Sequence, residues 1–233
     1  MSDQIDNNKI VGVLGGMGPG ATVDFMATVV ALTPADKDQD HVHMIVDNDP
    51  TIPPRQDAIL HDGPDPGPAI ATMAKRLQNA GADFLVMPCN TAHAFSSYVT
   101  GAVDIPLLSI IDVTVAACKA YASVGLMATE GCLRSNLYQE ALTDAGIDSV
   151  LPTDTELAEF MRLTFQIKSG DRSTETSAAM QSLAAAMSSR GALAIIAGCT
   201  EIPLVLDAHM LDVPLISSTD LLAKATVELA NQE

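Results

Sequence analysis

The chain has 233 residues, 48% of them hydrophobic but with five Phe, three Tyr and no Trp, enough for one large domain or two small ones around an aliphatic core. Twelve basic residues against 29 acidic ones give a net charge of −17, which repels phosphate backbones and argues against nucleic acid as a partner. No apolar run approaches the ~18 residues of a membrane span and the first residues, MSDQIDNN, do not read as a signal peptide, so neither a membrane nor export is expected and the location expected is cytoplasmic.

Short apolar runs alternate with longer stretches of helical period. In chain order, a strand over 10–14 leads into a helix over 20–32, then a strand over 42–47. The segment 49–68, DPTIPPRQDAILHDGPDPGP, reads as an ordered loop covering the end of that strand. A helix over 68–80 follows, then strands over 84–87 and 107–110, a helix over 112–121 and a strand over 123–127. Helices over 135–145, 156–169 and 174–190, strands over 193–197 and 214–216, and a helix over 219–230 complete the chain. Nearly continuous apolar strands are buried on both faces, the mark of a parallel sheet covered by helices. The fold expected is α/β.

The arrangement occurs twice. RLQNAGADFLVMPCNTAHAF (76–95) and SSRGALAIIAGCTEIPLVL (188–206) each join a helical stretch to a Gly-Ala pair, an apolar run and a cysteine followed by polar residues. Gly81 to Cys89 and Gly191 to Cys199 are eight positions each, and Asp104-Ile105-Pro106-Leu107 answers Asp212-Val213-Pro214-Leu215. Upstream, Val11-Gly12-Val13 answers Val124-Gly125-Leu126. Two pseudo-symmetric lobes follow, the first 1–115 plus 218–233 and the second 116–217, with no linker rich in Gly, Ser or Pro between them, hence a broad interface and a cleft within it.

Ligands of parallel sheets bind outside the carboxyl ends of the strands, where both Cys89 and Cys199 are expected. Each would sit near a helix amino terminus, whose partial positive charge favours the thiolate. A single cysteine is as readily a small core residue; paired placement at matching strand ends favours function. Cys118, among alanines in a helix, reads as core, whereas Cys132 after a strand is open to either reading. The four thiols include no CxxC pair, and the Cys89/His93 spacing has no partner pair at metal spacing, so no disulfide and no metal site is expected. The strand-turn-helix G-x-x-G-G-x-G-P of 12–19 is not the G-x-G-x-x-G of dinucleotide folds. That turn, which carries Met17, instead offers backbone amides suited to a carboxylate. Arg55, after two prolines, and Lys168, at a helix end, are cations able to grip an anion. Thr91, Thr129 and Thr200 follow strands and supply either hydroxyls or helix caps.

The segments GGMGPGAT, IPPRQ, MPCNTAHAF, LMATEG, IKSG and AGCTE, in this order, resemble the aspartate/glutamate racemase family, especially its aspartate-racemase-like branch, over about 10–217. The resemblance implies two similar α/β lobes, no cofactor, a homodimer, an amino-acid substrate and one catalytic cysteine from each lobe. It casts Cys89 as the base for the D-enantiomer and Cys199 as the base for the L-enantiomer. Asn90, Thr91, Thr129 and Thr200 would hold the α-carboxylate and amino group, with Met17 among the substrate contacts. Arg55 and Lys168 would hold a side-chain carboxylate, which points to aspartate or glutamate. Cys132 departs from the hydroxyl residue often found there. A cysteine-dependent isomerase or decarboxylase of a small dicarboxylate, and a non-catalytic amino-acid-binding protein, are the alternatives.

Overall fold

The computed structural model describes residues 9–232, so the polar segment read for a leader lies outside the described residues. The first half runs β1 (Val11–Gly15), α1 (Pro19–Leu32), β2 (Met44–Asn48), α2 (Arg55–Leu60), α3 (Gly67–Asn79), β3 (Phe84–Val86), α4 (Ser96–Thr100), β4 (Leu107–Leu108) and α5 (Ile110–Ala117). The second runs β5 (Ser123–Ala128), α6 (Glu130–Arg134), α7 (Leu137–Asp144), β6 (Asp148–Val150), α8 (Asp154–Lys168), α9 (Thr174–Ser189), β7 (Ile195–Gly198), β8 (Leu215–Ser217) and α10 (Ser218–Ala230).

Each half builds a four-stranded parallel sheet, and the two orders correspond: β2-β1-β3-β4 and β6-β5-β7-β8. Val11 lies between Met44 and Phe84, and Gly125 between Val150 and Ile195. The correspondence reaches single side chains. A Cβ on Gly12 would meet Leu85, Ala82 and Leu77, and one on Gly125 would meet Ile195, Ala192 and Met187, residues at matching places in the two halves. Gly81 and Gly191 end their helices with the same φ of +101°, a conformation that L side chains rarely adopt and glycine adopts freely.

Three apolar clusters fill the protein. One joins both halves, taking in Val13, Phe25 and Val86 from the first and Leu126, Ile196 and Tyr138 from the second. The other two flank it, around α3 and around α8 and α9. α10 packs against both α1 and α5.

Several elements differ from the sequence-based expectation. The segment 49–68 is not all loop, because RQDAIL forms α2 immediately after Pro54; these six residues are mostly good helix formers, and a proline just before a helix costs it nothing. The strand expected over 107–110 stops at Leu108, since the Ser109 side chain accepts from Asp112 N and starts α5 early. β6 was not expected: its three residues, Asp-Ser-Val, form a sheet edge and need no apolar run. α8 begins two residues early, behind a capping box of Thr153 and Glu156.

Candidate active site

Met17, Arg55, Cys89, Asn90, Thr91, Thr129, Lys168, Cys199 and Thr200 all line one cavity of about 300 Å³. It opens where the carboxyl ends of β3 and β7, the matching inner strands of the two sheets, come together. β7 ends at Gly198, directly before Cys199, and β3 ends at Val86, three residues before Cys89; a short 3₁₀ turn follows each cysteine, 91–95 in one half and 202–204 in the other. An α-helix amino terminus expected behind each thiol is therefore absent, because Pro203 and the short Thr91–Phe95 turn shape tight 3₁₀ segments with little aligned dipole. Both thiols are largely buried, Cys89 at 8% and Cys199 at 5% exposure.

The surroundings of Cys89 are held by His93 and Asn90. His93 Nδ1 lies 2.9 Å from Cys89 O, and Ile110 N donates to His93 Nε2 at 3.2 Å. With Nε2 accepting, Nδ1 carries the proton, and the ring is the neutral tautomer. Burial lowers its pKa to about 4 despite that hydrogen bond. Both nitrogens being engaged by backbone, the Cys89/His93 spacing presents no ligand pair. Asn90 Oδ1 accepts from Tyr138 Oη at 2.6 Å, and its Nδ2 donates to Ser218 Oγ at 3.1 Å, which in turn donates to Ala197 O. That chain links the loop after β3 to β7 itself, so Asn90 ties the two halves together besides facing the cavity.

Thr91 and Thr129 hydroxyls meet at 2.8 Å across the halves, and Thr129 makes no capping bond to α6. From the glycine-rich turn only Met17 reaches the cavity. Its neighbour Gly16 N donates to Thr22 Oγ1 at 3.0 Å, and Pro19 has no N–H, so these two positions add nothing to the row of amides expected of this turn.

The cations are more committed than expected. Arg55 donates to the carbonyls of Ile52, Pro53 and Met17 at 3.3, 3.1 and 3.2 Å, leaving its buried Nε without a partner among the described residues. Lys168 Nζ lies 3.7 Å from Glu201 Oε1. Burial pulls the Lys168 pKa down, but Glu201 and the two thiols outweigh it and raise the value. Of the other thiols, Cys118 is core and burial pushes it up to about 11. Cys132 does not line the cavity: α6 turns it into the core shared by both halves, where burial pushes it up to about 12.

Among the cavity residues that sequence reasoning missed are Glu201, Thr164 and Gln56. Glu201 stands in the quoted AGCTE segment but was assigned nothing; it is 5% exposed, with Oε2 2.9 Å from Cys199 Sγ. Thr164 on α8 has a buried hydroxyl with no partner among the described residues, the kind of group a ligand satisfies. Gln56 on α2 bridges the halves, accepting from Gly131 N at 2.5 Å. Only α8's i, i+3, i+4 spacing of Met161, Thr164, Phe165 and Lys168 carried a signal for the second of these.

The family described as Asp/Glu/Hydantoin racemase matches residues 14–226. Broad specificity amino-acid racemase RacX of Bacillus subtilis (strain 168) is 32% identical over 223 residues, 94% of this chain and 96% of the relative. An aspartate racemase of Picrophilus torridus superposes with a TM-score of 0.84 at 31% identity, covering 97% of this chain and 95% of that one. A glutamate racemase of Francisella tularensis subsp. tularensis SCHU S4, solved with D-glutamate, shares the fold with a TM-score of 0.68 at 21% identity, covering 95% and 80%.

Proposed function

The chain belongs to the Asp/Glu/hydantoin racemase family and is an amino-acid racemase, and from that premise we propose that it interconverts L- and D-aspartate or glutamate without a cofactor, by proton transfer between Cys89 and Cys199. The cleft would lie between a first lobe of 1–115 plus 218–233 and a second of 116–217. One observation carries the reading: two largely buried thiols, at matching strand ends of two corresponding sheets, open onto one cavity.

The α-proton of an amino acid is very weakly acidic, so a carbanion must be met at once by donors and by a proton from the opposite face. One thiolate removes the α-proton; the other thiol returns a proton to the opposite face, and the configuration inverts. The Thr164 hydroxyl and Arg55 Nε, which have no partner among the described residues, with the Thr91, Thr129 and Thr200 hydroxyls and Asn90, supply hydrogen bonds to the substrate and its developing enediolate. Met17 closes one wall. Since one sulfur must be ionised and the other protonated, the rate follows a bell-shaped pH profile belonging to the pair.

A broader substrate range is the second reading. Arg55 is bound by three carbonyls, Lys168 is paired with Glu201, and the cavity wall includes Met161 and Phe165, which suits side chains without charge. RacX, named for broad specificity, supports it. We also read the enzyme as a homodimer, for which α1 offers exposed Val23 and Val30.

Proton NMR in deuterated buffer without added cofactor tests the reaction on L-aspartate, L-glutamate and L-alanine. The α-proton signal of the true substrate disappears as its enantiomer forms, and Cys89→Ser and Cys199→Ser each slow this by about 10²-fold or more. Formation of the D-enantiomer that survives either substitution would refute the two-thiol scheme, and conversion of L-alanine as fast as L-aspartate would select the broader range.

A further inference from the structure

The two thiols face different neighbours, although the halves around them correspond. At Cys199 the chain places a carboxylate two residues on: Glu201 Oε2 accepts a hydrogen bond from Cys199 Sγ at 2.9 Å and from Thr200 Oγ1 at 3.3 Å. The matching position after Cys89 is Thr91, which carries no charge and bonds to Thr129 instead. We propose that Glu201 is a positioning residue that keeps the proton on Cys199, so that the resting enzyme presents Cys199 as the acid and Cys89 as the base. The inference rests on the two-thiol reading above.

A thiol donates to a carboxylate, whereas a thiolate at the same distance meets a second anion in a site with little water. The other titratable groups lining the cavity are Lys168 from α8, Arg55 and Asp57 from α2, and Cys89 opposite. Lys168 is the one that counters Glu201 at Cys199, and it counters only in part. Burial first, then Glu201, hold the Cys199 thiol well above the usual range, with Lys168 pulling the other way. In one turnover from rest, the substrate's α-proton moves to the Cys89 sulfur and the Cys199 proton moves to the opposite face of the α-carbon. That leaves Cys89 protonated and Cys199 as a thiolate beside Glu201, and loss of the Cys89 proton with regain of one at Cys199 restores the resting form.

Enantiomers have equal free energy, so kcat/KM is equal in the two directions for every variant and cannot reveal this bias. The thiols themselves must be read. Iodoacetamide alkylation of the wild type and of Glu201→Gln and Glu201→Asp, followed peptide by peptide by mass spectrometry from pH 6 to 10, reports each cysteine separately. In the wild type Cys89 is modified at lower pH than Cys199. Glu201→Gln keeps the size and removes the charge, so the Cys199 profile moves to lower pH while that of Cys89 moves less, and the alkaline limb of the racemase profile moves down with it. Glu201→Asp keeps the charge and restores part of the separation. A Cys199 profile unmoved in a Glu201→Gln protein that melts like the wild type, or wild-type Cys199 reacting at lower pH than Cys89, would overturn the proposal. If the alkylation shift holds while no amino acid exchanges its α-proton, the racemase scheme fails and the role of Glu201 in holding the Cys199 proton stands.

Discussion

His93 shows what a buried titratable group next to a reactive residue does when its own chemistry is fully used. Its Nδ1–H donates to Cys89 O and its Nε2 accepts from Ile110 N, so it pins the loop carrying Cys89 to the start of α5. Unfolded, an imidazole titrates near 6.5; folded, His93 titrates at about 4 because burial disfavours its charge. Between these values the unfolded chain holds the extra proton. Stability from this group is therefore complete above about pH 6.5 and is lost as pH falls toward 4, a change of about 3 kcal/mol. Urea unfolding of wild type and His93→Leu across pH 4–7 measures it. The variant is less stable at pH 7 by about 1–3 kcal/mol, since a buried carbonyl and a buried N–H lose their partner, and its stability falls less steeply toward acid. Equal steepness in the two proteins would contradict the neutral, backbone-bound histidine.

At the scale of elements, the doubling of the fold rests on close packing of β1 on α3 and of β5 on α9. Gly12 and Gly125 are the contact points, where an added Cβ would lie 3.1 Å from Leu77 on α3 and 3.1 Å from Met187 on α9, and nearer still, at 2.7 and 2.6 Å, to Leu85 and Ile195 on the adjacent strands. Gly12→Ala and Gly125→Ala each cost about 1–3 kcal/mol by overpacking, and the two costs are similar because the neighbours correspond. Chemical denaturation of both variants reads this; a cost at one site only would mean that the two halves tolerate strain differently. The elements that escaped the sequence reading share a cause. α4, α6 and β6 span five, five and three residues, too short to show a period, and α2 lay hidden inside a proline-rich segment.

For the whole molecule, the net charge of −17 outweighs what its ion pairs neutralise. Arg76 is taken by Asp47 and Asp49, Arg162 by Glu159 and Arg190 by Glu156, while Arg55 and Lys168 line the cavity. Most carboxylates are left to repel one another across the surface, and salt screens such repulsion over a Debye length that shrinks from ~10 Å at 0.1 M to ~3 Å at 1 M. The Tm therefore rises with sodium chloride over that range, measured by scanning calorimetry at neutral pH. A Tm that falls with salt would mean that the few ion pairs matter more than the unmatched acids.

The duplicated pattern in the sequence was enough to determine the α/β class, two matching sheets and a cysteine beyond the end of each inner strand, because parallel strands are apolar runs and their carboxyl ends are where polar residues resume, whereas Met17, Arg55 and Lys168 lie outside the repeat and were singled out by their own segments and the family resemblance. Tertiary structure alone decided how those side chains are used. That Arg55 spends its fork on three carbonyls, that Asn90 ties β3 to β7 through Ser218, that Cys132 turns into the core, and that Thr164 on a distant helix offers a free hydroxyl all depend on approaches between segments far apart in the chain. Local periodicity carries no record of such distances. Glu201 falls between the two: its place beside Cys199 could be read from the sequence, but its effect depends on burial, and the loss of water around a carboxylate and a thiol 2.9 Å apart exists only in the folded protein.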